Sequence, residues 1–573
     1  MLKQLKTFPR HVLLLALLAP VLVLGLWAWL AGARGPFYLG GNYDPEYVYL
    51  LNSLALLQGH SPNHTDHPGT PVQAVSALVI GGTYVVSGSG GLVKDVLARP
   101  EHYLGVLNAV FAAVCALTFL AVGLAAYWQT RQVLLMMLMQ LLPLLAVNDV
   151  LSLTRVCPEP LLMCLSMALG AVLLACIIHR RDAESAENSR KNGQNDSRNS
   201  FFTLRPPHLR GELSGLGLLN IRTCRWLGII IGVGIAAKVT FLPLAIIPLI
   251  VLRGRRARLA YAAWAALALF VCLIPILPRA YQVGRWFTLL AIKKGAYGSG
   301  DWGLIESSSI LPGLKLLVLA EPVFLAIQVL SWLVLVVLWI KWRRRGQGQR
   351  GQTANFQTAG NFFPCQSPLG VLLALCVAGL AQLLFAAKRP APHYLLPALA
   401  LMGTQAVVVC RLLSQAKWVW LAGSVTVLCA AVFAGSTIWQ RRAELAGQRD
   451  ALLALTRDAD KIAAPGRTVC YYRCSSPVYA LNFGNEFCGR FFGAALAQDH
   501  PDALFYDPWK RGFSSFHGPV PREEILKLAA AGPLYFWGSA WETYAPEVRP
   551  PELRFQAKTA EAGEVIYEAV PQR

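Results

Sequence analysis

Asp44 and Glu46 stand two residues apart in the polar segment 42–72, NYDPEYVYLLNSLALLQGHSPNHTDHPGTPV, which also carries Asp66 and His67. A carboxylate held at fixed depth beside an apolar phase can take a proton from a hydroxyl, which is general-base chemistry. Each of these groups also has a plainer reading. Asp-Pro-Glu is a good helix start, with Asp as cap, Pro in the first helical position and Glu in the first turn. Asp66-His67-Pro68-Gly69-Thr70-Pro71 reads equally well as a rigid polar turn. What favours chemistry at Asp44 is the stretch that follows, residues 45–58, aromatic and apolar through Tyr47, Tyr49, Leu50, Leu54 and Leu57. Such a helix is expected to be pinned at a membrane interface, which would hold Asp44 at one depth. Asn63-His64-Thr65 matches a glycosylation sequon, which matters only in a eukaryote.

Three further points carry charge: Thr154-Arg155-Val-Cys-Pro158-Glu159, the isolated Lys238, and Lys388-Arg389-Pro-Ala-Pro-His393-Tyr394. Long basic side chains at a bilayer edge can simply snorkel, and Glu159 can simply start a helix. Cations that face outward against the general trend of a membrane protein are also what an anionic lipid phosphate would need.

The elements that must position these residues are mostly apolar helices. Of 573 residues, 55 % are hydrophobic and only 14 % charged; soluble domains carry about 25 % charged residues. With a mean hydropathy of +0.45 this is an integral membrane protein. The net charge of +21 sits between apolar runs rather than on one aromatic-laced face, so it reads as topology and nucleic acid is excluded as a partner. The run 11–31 follows Lys3, Lys6 and Arg10. Its length suits an uncleaved anchor better than the competing signal peptide, although Ala31-Gly-Ala33 resembles a cleavage site.

Further spans are expected at 103–127, 132–147, 158–178, 226–237, 241–252, 259–277, 322–342, 369–387, 394–410 and 418–439. The run 69–87 is apolar but littered with Gly, Ser and Thr. Laying it along the outer surface puts every basic connection in the cytoplasm, as the positive-inside rule requires. The fold expected is a polytopic α-helical membrane protein of about eleven spans, N-terminus inside, at the inner (plasma) membrane of a bacterium. Its transmembrane part would be residues 1–439, with a first extracytoplasmic loop at 32–102 holding interfacial helices and a disordered cytoplasmic loop at 180–225. Residues 440–573 would form a small extracytoplasmic α/β domain. Its strands are expected at 468–472, 504–506, 533–537 and 565–569, and a helix at 521–531. Two of Cys470, Cys474 and Cys488 are expected to pair as a disulfide in that compartment; a zinc site lacks a histidine at ligand spacing.

At these residues the sequence resembles the GT-C superfamily of polytopic glycosyltransferases, in particular its protein O-mannosyltransferase and lipid A aminoarabinose transferase branch. The resemblance lies in Asp44-Pro-Glu46-Tyr47 followed by Gly59 and Asp66-His67-Pro68, and in Arg155-x-x-Pro-Glu159-x-Leu-Leu. It continues in Gly232-x-Gly234-x-x-x-Lys238 and Arg389-x-x-x-His393-Tyr394-Leu-Leu-Pro397, and covers roughly residues 12–400. Gly69 departs from it, since many relatives have a second proline there. The resemblance implies transfer, with inversion, of a sugar from a polyprenyl-phosphate donor to a glycan, lipid or protein acceptor outside the cytoplasm. Asp44 would be the base; Lys238, Arg389 and Arg155 would hold the donor phosphate. Glu46 and Glu159 would orient substrate hydroxyls or a divalent cation, Mg2+ or Mn2+, whose use is left open. Asp66, His67, His393 and Tyr394 would complete the substrate contacts. A transporter of lipid-linked sugars or solutes is the alternative, although such proteins place ionisable groups near the midplane, often with inverted repeats. A polysaccharide polymerase or ligase using the same class of donor is a third reading.

Overall fold

The computed structural model describes residues 9–572 except 42, 65–68, 194–211, 295–299, 304–306, 349–366, 414–416, 463–466 and 545–547. The helices that bear on the site are α1 (Tyr43–Leu57), α2 (Thr70–Ser87), α3 (Pro100–Thr130), α4 (Pro158–Gly193), α5 (Glu212–Ala237), α6 (Lys417–Ile462) and α7 (Pro477–Phe487). Among the described residues, seven helices are long and apolar enough to cross a membrane, or eight if the bent pair Pro392–Leu399 and Met402–Leu412 is one span. Leu14, Val21, Leu259, Phe270 and Leu333 lie exposed on them. Apolar surface of that extent is stable only against lipid, so the protein is integral to a membrane.

Several expected spans take another form. Val133–Leu145 and Val239–Val251 are short apolar helices, and α2, expected along the surface, is itself long and apolar enough to cross. The helical path Arg255–Ile292 runs for 38 residues, past the expected end at 277, through a 3-10 link at Ile274–Arg279. The loop expected to be disordered over 180–225 is helical at both ends, within α4 and α5. Its first part, Arg-Arg-Asp-Ala-Glu-Ser-Ala-Glu, is rich in good helix formers, so the span continues beyond its apolar stretch.

Helix α6 runs through residue 440, the expected domain boundary, and the sheet begins at β1 (Thr468–Tyr472). The other strands are β2 (Leu504–Asp507), β3 (Gly512–Ser515), β4 (Gly518–Val520), β5 (Leu534–Ser539), β6 (Leu553–Glu561) and β7 (Glu564–Pro571), in the order β4-β3-β2-β1-β5-β7-β6. β1 is central and runs parallel to both β2 and β5, while the flanking pairs are antiparallel. One face of the sheet packs Cys470, Tyr472, Leu504 and Phe536 with Ile525 of the helix Arg522–Ala531. The other face continues without a break into Tyr43, Tyr47 and Leu50 of the first loop, so the two polar regions share one core.

The expected disulfide does not form, since none of the three cysteines is bonded to another. Cys470 lies in the far core, Cys474 and Cys488 in the near one, and all three are buried free thiols. Cys470 thus belongs to the core on one face of the sheet, and Cys474 and Cys488 to the core on the other. The Cys488 thiol donates to the Asn485 carbonyl at 3.2 Å. Alkylation of the denatured, unreduced protein is expected to label all three; a mass showing two of them protected would restore the disulfide.

Candidate active site

Helix α1 is buried on nearly every side, from Tyr43 and Glu46 through Ala55. A helix apolar all round belongs inside a core, and here protein holds it rather than the bilayer edge. Gly484 of α7 makes the close approach possible: a Cβ there would stand 2.6 Å from the Tyr47 carbonyl oxygen. Tyr43 also meets Tyr479 and Phe483 edge-on, with ring centroids 5.3 and 5.0 Å away. Asp44 precedes the regular helix in an extended conformation (φ −106°, ψ 112°).

Two ion pairs stand behind Asp44, each joining an expected acid to an expected cation. The Arg155 guanidinium forks onto buried Glu46, with Nε 2.8 Å from Oε1 and Nη2 3.1 Å from Oε2, and Nη2 also donates to the Asp44 carbonyl oxygen at 2.7 Å. Such bidentate pairs fix geometry as well as charge. Burial works against the Arg155 charge, but Glu46 more than offsets this and raises the guanidinium pKa. The turn that carries Arg155 is itself held: Asn108 Nδ2 of α3 donates to the carbonyls of Leu153 and Arg155 at 2.9 and 3.3 Å, and Trp27 Nε1 donates to Asn108 Oδ1 at 2.7 Å.

The second pair is Lys238 Nζ with Glu159 Oε1, both side chains almost wholly enclosed. Lys238 follows α5 and lies 5.1 Å from the Tyr394 ring centroid. It does not snorkel. His393 is exposed, its ring 4.3 Å from that of Tyr394, and Lys238, Glu159, Arg155 and Arg389 all lie within electrostatic reach of it. Lys388 is spent locally, on the Leu290 carbonyl. Asp66 and His67 lie outside the described residues.

Asp44 opens into a cavity of about 520 Å3 whose opposite wall is the C-terminal domain. Asp44 keeps contact with water through this cleft, while the surrounding protein still strips part of its hydration. That partial burial raises its pKa; Glu46 adds to the rise, and Arg155, Arg473 and Lys238 oppose it. His64 lines the same cavity; burial and the Lys238 charge hold its pKa down to about 4. Asn52 of α1 fixes this part of the loop, its Oδ1 accepting from the backbone N–H of Asn63 and His64 at 2.8 and 3.2 Å.

Gly69 fits a close approach that a proline would not. Its φ is +60°, and a Cβ there would sit 2.6 Å from the Tyr49 hydroxyl oxygen. Gly69→Ala is expected to cost at least ~1–2 kcal/mol from backbone handedness alone, read as a lowered thermal midpoint of the purified protein; an unchanged midpoint would contradict this geometry.

The expected residues Asp44, Glu46, Arg155, Glu159, Lys238, His393 and Tyr394 therefore converge, with Arg389 within electrostatic reach of His393. The sequence reading missed Arg473, Asn482 and Trp509 on the facing wall. One signal was present: Arg473 directly follows the strand expected at 468–472, and ligands of α/β sheets gather at the carboxyl ends of strands.

No protein-family model matches the chain, and no curated protein matches it. Among solved structures, it is similar to the crystal structure of ArnT from Cupriavidus metallidurans in the apo state, with a TM-score of 0.49 and 13 % identity over 96 % of this chain and 97 % of that chain. It is also similar to ArnT of the same organism bound to undecaprenyl phosphate, with a TM-score of 0.44 and 14 % identity over the same shares.

Proposed function

We propose that the protein is an inverting glycosyltransferase that moves a sugar from a polyprenyl-phosphate donor to a glycan, lipid or protein acceptor on the extracytoplasmic face. The observation that carries this reading is the placement of Asp44: its carboxyl opens into a cavity with Arg155, Arg473 and Lys238 within electrostatic reach. Asp44 takes the proton as the acceptor oxygen attacks the anomeric carbon. The bond from that carbon to the phosphate oxygen breaks, and the electron pair leaves with the phosphate. Charge grows on the phosphate in that step, and preorganised cations stabilise it at the moment it develops. Lys238 and Arg155 suit this task, with Arg389 beside His393 at the same end.

The two ion pairs refine the roles of the other acids. Both oxygens of Glu46 face Arg155, and Glu159 faces Lys238. In this reading they are positioning residues that hold the cations, while His393 and Tyr394 line the donor side and Asp66 and His67 stay assigned to substrate. For a divalent cation, Mg2+ or Mn2+, the described residues offer no convergent group of three His, Cys, Asp or Glu side chains. In this reading the basic side chains meet the leaving phosphate, alone or together with a divalent cation held by the phosphate and one or two carboxylates. The topology proposed is eleven spans, N-terminus in the cytoplasm and C-terminal domain outside, in the inner membrane of a bacterium.

Glycans and glycolipids of cells with and without the protein test the reading directly. A sugar missing from one of them in the deficient cells is expected. Unchanged glycoconjugates, together with uptake of a lipid-linked sugar by vesicles containing the protein, would establish a transporter instead.

A further inference from the structure

The C-terminal domain has a second cavity, of about 740 Å3, that shares no lining residue with the one at Asp44. Leu553 and Phe555 of β6 line it, and both belong to the core around Cys470 and Phe536, on the face of the sheet opposite the core shared with α1. Four arginines line it as well: Arg511 between β2 and β3, Arg522 at the start of the helix Arg522–Ala531, Arg549 before β6, and Arg554 on β6.

The backbone, more than any carboxylate, places these arginines. The Tyr506 hydroxyl donates to the Val548 carbonyl, and Pro550 and Pro551 come directly after Arg549, so the chain there has little freedom. Arg511 has φ +50°, a left-handed conformation that glycine adopts freely and arginine does not. Its carbonyl accepts from Arg522 Nη2 at 3.2 Å.

The acids nearby leave much of this charge unanswered. Arg522 Nη1 lies 2.7 Å from Glu552 Oε1, but Arg549 Nη2 lies 3.8 Å from Glu542 Oε1, whose side chain is 74 % exposed. Glu523 and Glu524 sit in the first turn of the helix, where its dipole favours them, and pair with none of the four. Among the described residues, neither Arg511 nor Arg554 has a carboxylate partner. Gathered like charges repel one another unless an anion meets them, and the guanidinium fork matches phosphate oxygens two at a time. A bare phosphate fills only a small part of the cavity. Its apolar lining, with Gln572 beside it, suits the ring and hydroxyl groups of an attached sugar. A lipid headgroup fits less well, because α1 and residues Leu455 and Ala459 of α6, which connect to the membrane part, pack against the other face of the sheet.

We infer that this cavity is a second binding site and that its ligand is a phosphate-bearing saccharide. The inference is independent of the reaction proposed at Asp44.

The test is calorimetric titration of the full-length protein, in nanodiscs of neutral lipid, with glucose 6-phosphate, glucose and inorganic phosphate. Glucose 6-phosphate is expected to bind, inorganic phosphate to bind about tenfold more weakly, and glucose not to bind. Arg511→Gly and Arg554→Gln are each expected to weaken glucose 6-phosphate binding about tenfold, the worth of a charge-assisted hydrogen bond. Arg511→Gly also relieves the left-handed backbone, so its thermal midpoint should not fall, which separates lost binding from lost folding. No binding of glucose 6-phosphate, or binding indifferent to both variants, would overturn the inference. Inorganic phosphate binding as tightly as glucose 6-phosphate would show a plain anion site and overturn the saccharide. Loss of glucose 6-phosphate binding in nanodiscs containing phosphatidylglycerol would assign the site to a lipid headgroup instead.

Discussion

Asp44→Asn is expected to lower the rate of sugar transfer by about 10²–10⁴-fold, the range that a positioned general base contributes, while the protein still inserts and folds. The exchange is nearly isosteric, and the structural tie at this residue is its backbone carbonyl, which accepts from Arg155 Nη2 at 2.7 Å and survives the change. The pH profile separates a lost base from mere disturbance. A base works ionised, so activity is present above the pKa of Asp44 and disappears as pH falls through it. Partial burial raises that pKa, so the acid limb of kcat/KM is expected above the ordinary aspartate value of about 3.9. His64 is the competing base in the same cavity, held down to about 4. Asp44→Asn should abolish the acid limb and His64→Ala should leave it in place. A profile that keeps its limb in the Asp44 variant, at near-normal turnover, would remove Asp44 from the chemistry.

The acids and cations of the site were legible in the sequence because they all flank apolar runs, at positions that the distribution of Lys and Arg assigns to one side: Asp44, Arg155, Glu159, Lys238 and Arg389. Their pairing was not legible. Arg155 meets Glu46 across 109 residues and Lys238 meets Glu159 across 79, and those choices are made by how α1, α4 and α5 pack. In the C-terminal domain the core strands β1, β2, β5 and β7 carried runs of aromatic and branched residues and were found. β3 and β4 are three or four residues long, and β6 is an edge strand mostly open to water with the sequence LRFQAKTAE, so neither gave a hydrophobic run to read. Helix α1 shows the opposite failure. Its apolar residues suggested a lipid interface, but the core that covers them comes from α7, over 400 residues later, a contact that periodicity cannot reveal.

Lys238→Met is expected to reduce both donor use and stability, and a double variant separates the two. Lys238 and Glu159 are a nearly solvent-free pair. Removing the lysine alone strands a buried carboxylate, at a cost of about 3–5 kcal/mol. The thermal midpoint should therefore fall steeply. Adding Glu159→Gln removes the stranded charge, and replacing both members of a buried pair is close to neutral for stability, so the double variant should recover most of the lost midpoint. Donor use should not recover, because the cation meant to meet the leaving phosphate is still missing: the rate at saturating acceptor stays low and the donor concentration for half-maximal rate stays high. Tyr394, 5.1 Å beneath the ammonium in the wild type, cannot replace that charge. A double variant that regains both stability and donor use would show that the Lys238–Glu159 pair only braces the fold, and the leaving phosphate would then have to be met by Arg155 and Arg389 without it.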